Sequence, residues 1–180
     1  MAQTILHVDL ANLFIGDDDP TKSQHLVLKG VTLPQLTERT KQHSPGGGVM
    51  DVEIGLRKLQ PLTMPFKLEG VNLDVLPRFM PAGAQRIKYT MRANIRDLLT
   101  HADIPLLAVI TGRMTQANLN EMGSGNATET DYQISEIFQY QLIIDNQEKY
   151  YFDFFSGVAG VRIDGTAVFS TAAANLGLGA

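Results

Sequence analysis

Period-two alternation of apolar and polar residues in several separate stretches predicts a mainly β fold: an antiparallel sandwich or barrel with one or two short helices and a long projecting β-hairpin. Two further observations support it. Clusters of Gly, Pro, Asn and Asp separate the alternating stretches, as turns between strands require. The helical signals are short, because Pro77 limits one and Gly177 stops the other.

In chain order, Ile5 to Ile15 is apolar apart from His7, Asp9 and Asn12 and reads as a strand or an ordered arm. Asp17-Asp18-Asp19-Pro20 reads as a solvated turn. Its acids are contiguous and stop at Pro20, whereas a calcium loop needs alternate acids, a Gly and a later Glu. Leu26 to Thr40 reads as one or two strands, weakened in the middle by Pro34. Ser44-Pro45-Gly46-Gly47-Gly48 gives a backbone free to adopt positive φ and predicts a hairpin tip. No G-K-[ST] follows to make it a phosphate cradle.

The return limb is the clearest signal. Val52, Ile54 and Leu56 alternate with Glu53, Gly55 and Arg57. After an interruption at Leu59-Gln60-Pro61, Leu62, Met64, Phe66 and Leu68 alternate with Thr63, Pro65, Lys67 and Glu69. The interruption predicts a bend or bulge. Asn72 is placed to cap a short helix over Leu73 to Phe79. Ile87 to Ile95 alternates again, Pro105 to Leu119 reads as a strand, and Gly123 to Asp131 as a polar loop. Tyr132, Ile134, Phe138, Tyr140, Leu142 and Ile144 alternate with Gln133, Ser135, Gln139 and Gln141. Asp145-Asn146-Gln147 turns the chain into a strand over Lys149 to Phe155, whose aromatic residues read as core. Thr171 to Leu176 reads as a last helical turn closed by Gly177.

One domain is expected over 1–180, with an N-terminal arm over 1–25 and a C-terminal tail over 165–180. The apolar fraction is 44%, the charged fraction 19% and the net charge −4. The 15 basic residues form no run, so the basic stripe of a phosphate-gripping protein is missing. With no cysteine, disulfides, thiolate metal sites and thiol nucleophiles are excluded. Met1 to Leu10 shows no secretory signal, and no apolar stretch reaches the roughly 18 residues a membrane helix needs. Asn126-Ala127-Thr128 matches a glycosylation sequon that has no use without secretion.

The chemistry of an enzyme is not legible. His7, His25, His43 and His101 lie far apart and in no ligand spacing. There is no nucleophile elbow and no dinucleotide fingerprint. Glu136 and Asp153 are isolated acids, candidates for acid–base work only if buried. The reading is of a protein without cofactor, metal or catalytic residue.

A resemblance gives the function. Leu33-Pro34-Gln35-Leu36-Thr37-Glu38-Arg39-Thr40-Lys41-Gln42-His43, then Gly46-Gly47-Gly48, Met50 and Val52-Glu53-Ile54-Gly55-Leu56, resembles the major tail tube protein of contractile-tailed phages and related tailocins. Gly70 with Leu73, Leu76 and Phe79 resembles the short helix after that family's hairpin. Val161-Arg162-Ile163-Asp164-Gly165 and the closing Asn175-Leu176-Gly177-Leu178 resemble its C-terminal motifs. Met50-Asp51 runs straight into Val52, where the family usually has an intervening Ala-Pro.

The resemblance implies a structural subunit whose six-fold rings stack into a hollow conduit for DNA through the host envelope. It implies the chain itself, a tail sheath protein, and baseplate, initiator and terminator proteins as partners. It also implies assembly in the host bacterial cytoplasm, and no membrane anchor. Gly46, Gly47, Gly48 and Met50 are the candidate contacts between rings. Two polar sets are candidates for the lumen: Gln133, Ser135, Gln139 and Gln141, or Glu53, Arg57, Lys67 and Glu69. A type VI secretion tube protein and a soluble β-barrel binding a small ligand are the alternatives.

Overall fold

The computed structural model describes residues 4–16, 20–120 and 128–178. The Asp17 to Asp19 turn, most of the Asn126 sequon and the first part of the polar loop lie outside these residues. The described strands are β1 (Leu6–Ile15), β2 (Leu28–Val31), β3 (Glu38–His43), β4 (Val52–Leu59), β5 (Met64–Glu69) and β6 (Ile87–Asp97), then β7 (Asp103–Leu119), β8 (Glu129–Ile144), β9 (Gln147–Asp153), β10 (Val161–Ile163) and β11 (Thr166–Ala167). A single described α-helix, α1 (Ser170–Asn175), follows, and short 3-10 turns link the strands.

One antiparallel sheet runs β1-β6-β7-β8-β9-β10-β11. Its centre is β8, which is long enough to hold two strands end to end along one edge. β7 pairs with most of its length. On the opposite edge β5 covers Glu129 to Ile134 and β9 covers Gln139 to Ile144. β2 then pairs with β5. Between the two footprints β8 bulges: Thr111 faces Gln139, Arg113 faces Ser135, and Glu136 takes a φ of 49°. Gly112 lies opposite, where a Cβ would sit 2.8 Å from the Ile134 side chain and 3.0 Å from the Ser135 carbonyl. Only glycine lets the two strands approach this closely.

The sheet curls until β1 nears the chain leading into β2, joined by the bridge between Phe14 and Ser23 and by Gln24 N–H donating to the Leu13 carbonyl at 2.9 Å. It does not close, so the barrel is partial. Inside the curl lie Leu13 and Ile15 of β1, Met64, Phe66 and Leu68 of β5, Tyr89 and Met91 of β6, Ala108, Ile110 and Met114 of β7, and Tyr132, Ile134, Tyr140 and Leu142 of β8. Phe66 stacks on Tyr132 at 4.9 Å. Burial pushes the Tyr89 and Tyr140 phenols up to about 12, since water no longer solvates the phenolate.

The turns follow the sequence. Asp145 and Asn146 both take positive φ, 52° and 58°, between the paired Ile144 and Gln147. That is the two-residue hairpin such residues favour. Asp164 and Gly165 do the same between β10 and β11. Asn72 accepts the Asp74 and Val75 N–H groups as expected of a cap, but Pro77 leaves only turns and a 3-10 segment over Leu76–Arg78. Gly177 ends α1 with a φ of 70°, and Leu178 N–H reaches the Ala173 carbonyl at 2.8 Å. The polar loop ends earlier than Asp131, because Glu129 already pairs with Glu69.

β3 and β4 form a separate two-stranded sheet on which every residue is exposed. The Val52 to Leu56 alternation is therefore continued in sequence, but not in burial, by Met64 to Leu68. This division sets an expectation for stability. Ile110→Ala leaves a cavity in the curl and should cost about 2–5 kcal/mol by denaturant unfolding of the free subunit. Ile54→Ala on β4 should stay within about 0.5 kcal/mol of the parent.

Candidate assembly surfaces

The hairpin is held in one register by its own side chains. The Glu38 carboxylate accepts the Arg57 N–H at 2.5 Å, and its Oε1 lies 2.7 Å from where a Cβ on Gly55 would be. Glycine at 55 thus makes room for the carboxylate across the ribbon. Arg57 takes a φ of 56° and sets its guanidinium 4.6 Å over the Phe169 ring, tying the ribbon to the segment before α1. Gln60 N–H donates to the Thr37 carbonyl at 2.8 Å and closes the root.

At the tip, Gly48 N–H donates to the Pro45 carbonyl at 3.1 Å, and Gln42 Nε2 donates to Asp51 at 2.9 Å. The expectation that the tip glycines exploit positive φ is not met, since none of Gly46, Gly47 and Gly48 adopts it. Gly46 and Gly47 have open space where a Cβ would stand. At Gly48 a Cβ would lie 2.6 Å from the Pro45 ring. Met50 is exposed beside them.

The second surface is the outer, polar face of the large sheet. β5 and β8 bring Lys67 and Glu69 onto the same face as Gln133 and Ser135, and β8 carries it on to Gln139 and Gln141. Thr115 donates to Ser135 at 2.9 Å, Thr111 to Gln139 at 3.3 Å, and Gln141 to Glu148 at 2.8 Å. Arg162 grips Glu148 through two N–H groups at 2.7 and 2.8 Å and holds that carboxyl below its ordinary value. Lys67 lies between Glu129 at 2.9 Å and Asp131 at 3.5 Å, and Glu69 pairs with Lys29 at 2.7 Å. Both lysines are raised by hydrogen bonds to their carboxylates. Glu53 and Arg57 are not part of this face, because they lie on the hairpin.

Sequence reasoning missed two features. The first is the end of the sheet where β1 begins. Asp97, at the end of β6, accepts the Thr4 hydroxyl and the N–H groups of Leu99 at 2.7 Å and Thr100 at 3.2 Å. These bonds, the Thr4 hydroxyl first among them, lower its carboxyl to about 2. Leu98 N–H donates to the Ile5 carbonyl at 3.0 Å, so the turn fixes the start of β1. Ile5, Leu6, Val8, Leu10, Leu98 and Leu99 remain exposed there.

The second is an aromatic cluster. Phe154 and Phe155, expected in a core strand, are exposed because β9 ends at Asp153. Asp153 caps the turn, accepting Phe155 N–H at 3.0 Å and the Ser156 hydroxyl at 2.7 Å. Both rings pack on Phe138, at 5.1 and 5.0 Å, with the Arg86 guanidinium 4.0 Å from its centre.

The acids singled out in the sequence serve structure. Asp153 is a cap, and Glu136 pairs with Arg113 at 2.6 Å in partly exposed surroundings. Among the described residues no three His, Asp or Glu side chains gather as a metal site would require.

The family model described as Phage tail tube protein FII matches residues 10–177. The fold is also similar to that of a chain in the sheath/tube terminator of an extracellular contractile injection system, PVC, in the extended state. There the TM-score is 0.50 at 10% identity, covering 75% of this chain and 92% of that one. A chain in the PVC sheath-tube complex in the extended state gives a TM-score of 0.51 at 7% identity, covering 74% of this chain and 87% of that one. No curated protein matches.

The Asp97 turn carries a pH signature. A carboxyl held at about 2 when folded, against roughly 4 when unfolded, contributes stability above pH 4 that is lost as pH falls through 2. Asp97→Ala should lower the denaturant midpoint at pH 6, and the gap to the parent should shrink on acidification from pH 4 to pH 2.

Proposed function

The chain belongs to the phage tail tube protein FII family; from that premise we propose that it is a structural subunit of a contractile tail, whose copies close into six-fold rings that stack into a hollow conduit for DNA. The observation that carries the reading is the hairpin. A two-stranded ribbon is marginal in water by itself, and this one leaves both strands exposed while presenting Val52, Ile54 and Leu56. Such a ribbon gains its stabilising contacts in an assembly. Contacts between unlike patches close into a ring when the rotation fits, and unpaired strand edges are natural joints.

The tail sheath, baseplate, initiator and terminator proteins are the proposed partners. The likeness to chains from sheath-tube and terminator assemblies supports the sheath and the terminator. Assembly in the host bacterial cytoplasm belongs to the same reading, and no described helix is long and apolar enough to cross a membrane. The family match favours a phage-type tube over a type VI secretion tube.

Gly46, Gly47, Gly48 and Met50 are the proposed contacts between rings. Negative-stain electron microscopy of the purified protein should show six-fold rings and hollow tubes; a subunit that stays monomeric at high concentration overturns the reading. The doubly substituted Gly46→Val, Gly47→Val protein should fold, since both positions have negative φ and open space, and should give rings that do not stack. Gly48 is left intact because of its contact with Pro45.

The proposed lumen wall is the outer sheet face with Gln133, Ser135, Gln139, Gln141, Lys67 and Glu69. Its amides are neutral and its lysines are paired, which suits a channel that lets phosphate slide past. Lysines in place of Gln133, Gln139 and Gln141 should make tubes retain DNA with a steep salt dependence. Retention unchanged at low salt would move this face to the outside.

A further inference from the structure

We infer that the shank of the β3–β4 hairpin of one copy docks on the open end of the large sheet of a second copy, with Val52, Ile54 and Leu56 lying against Leu6 and Val8. The inference rests on the ring reading above and gives its hairpin a specific seat.

Register defines the docking face. Residues directly opposite in an antiparallel pair share a face, and Val52 faces His43 while Ile54 faces Lys41. Val52, Ile54 and Leu56 therefore share one face with His43 and Lys41. The opposite face carries Glu53 and Gln42, with the Glu38 carboxylate over Gly55. The ribbon is apolar and basic on one side and acidic on the other. On the apolar side Val52, Ile54 and Leu56 keep 47%, 49% and 44% of their surface exposed.

The seat is the continuation of the core beyond its rim. Val8 pairs with Ile95 and Leu6 with Asp97, so both extend the inner face on which Ile95 and Leu106 are buried. Yet Leu6 and Val8 are 52% and 50% exposed, flanked by exposed Ile5, Leu98 and Leu99. The bulge between Val8 and Leu10 sets Asp9, an exposed acid, at the border of this patch. Its charge complements that of Lys41.

The two surfaces belong to different copies because one chain keeps them apart. The hairpin leaves the sheet at Met64, opposite Ile134 on β8, and Arg57 fastens it toward Phe169. In the same subunit both patches keep roughly half of their surface exposed, and β1 packs on β6 and on the segment leading into β2, not on β3 or β4. An apolar-basic surface and an apolar-acidic surface on different parts of one chain form a head-to-tail contact that each added copy regenerates.

The natural absence of cysteine makes the test clean. Ile54→Cys and Val8→Cys are made singly and together, assembled, and treated with a mild oxidant. The double variant should give a ladder of disulfide-linked oligomers on a denaturing gel, and neither single variant should. Tubes of the double variant that show no ladder overturn the docking while leaving the ring reading intact. A parent protein that never assembles overturns both. A co-expressed sheath protein captured at position 54 in place of a second copy overturns the docking.

A charge exchange covers the case in which the cysteines block assembly. Lys41→Glu should raise the concentration needed for assembly by roughly fivefold, and adding Asp9→Lys should restore most of it. No restoration by the second change overturns the pairing.

Discussion

The architecture depends on the division of one edge of β8 between two shorter strands. β8 is 16 residues long, and neither β5 nor β9 spans it. Where one footprint ends and the other begins, the backbone bulges at Glu136 and closes tightly on Gly112. The division has three consequences. It lets β5 and β2 swing round toward β1 and enclose the tyrosine-rich core. It sends β9 to β11 the other way. It also leaves a point of departure at Met64, from which the chain has grown a ribbon with no place in the core. The same division that encloses the core therefore leaves the ribbon outside it.

The chemistry of the exposed surfaces agrees with a passive role. Charges are paired at the surface, as in Lys67 with Glu129, Lys29 with Glu69 and Arg162 with Glu148. Such pairs are worth little to stability, but they limit the unpaired positive charge available to a polyanion. The perturbed carboxyls, Asp97 and Glu148, are explained by hydrogen bonds that hold a turn and a strand pair in place. Much of the apolar exposure lies on the hairpin and the start of β1, with more over Val71 to Met80, at Phe154 and Phe155 and around α1, and large exposed patches mark places where proteins meet.

Much of the fold is legible in the sequence because period-two alternation reports which side of a strand is dry. Tyr132, Ile134, Tyr140 and Leu142 are buried as their spacing requires, and Asp145-Asn146 turns where its residue types demand. Alternation does not report what lies against the dry side. Val52, Ile54 and Leu56 have the same pattern as Met64, Phe66 and Leu68, yet only the second set meets the core. Phe154 and Phe155 mislead because an aromatic run looks like core until Asp153 is seen capping the turn before them. The Thr4 to Asp97 bond spans 93 residues and leaves no local trace. The proposed lumen and ring contacts are legible only as polarity and glycine content, since their partners lie outside the chain.

The Glu38 side chain crossing over Gly55 has a consequence for how such a subunit joins others. A ribbon free to slip by one residue would exchange its apolar-basic and acidic faces, and each encounter would begin with a search for the right one. Here the carboxylate fits only the register that brings glycine beneath it and the Arg57 N–H within reach. The ribbon arrives already formed, so little conformational freedom remains to be lost on contact. In the assembly proposed above, the face that meets a neighbour is thus fixed within each subunit before two of them come together.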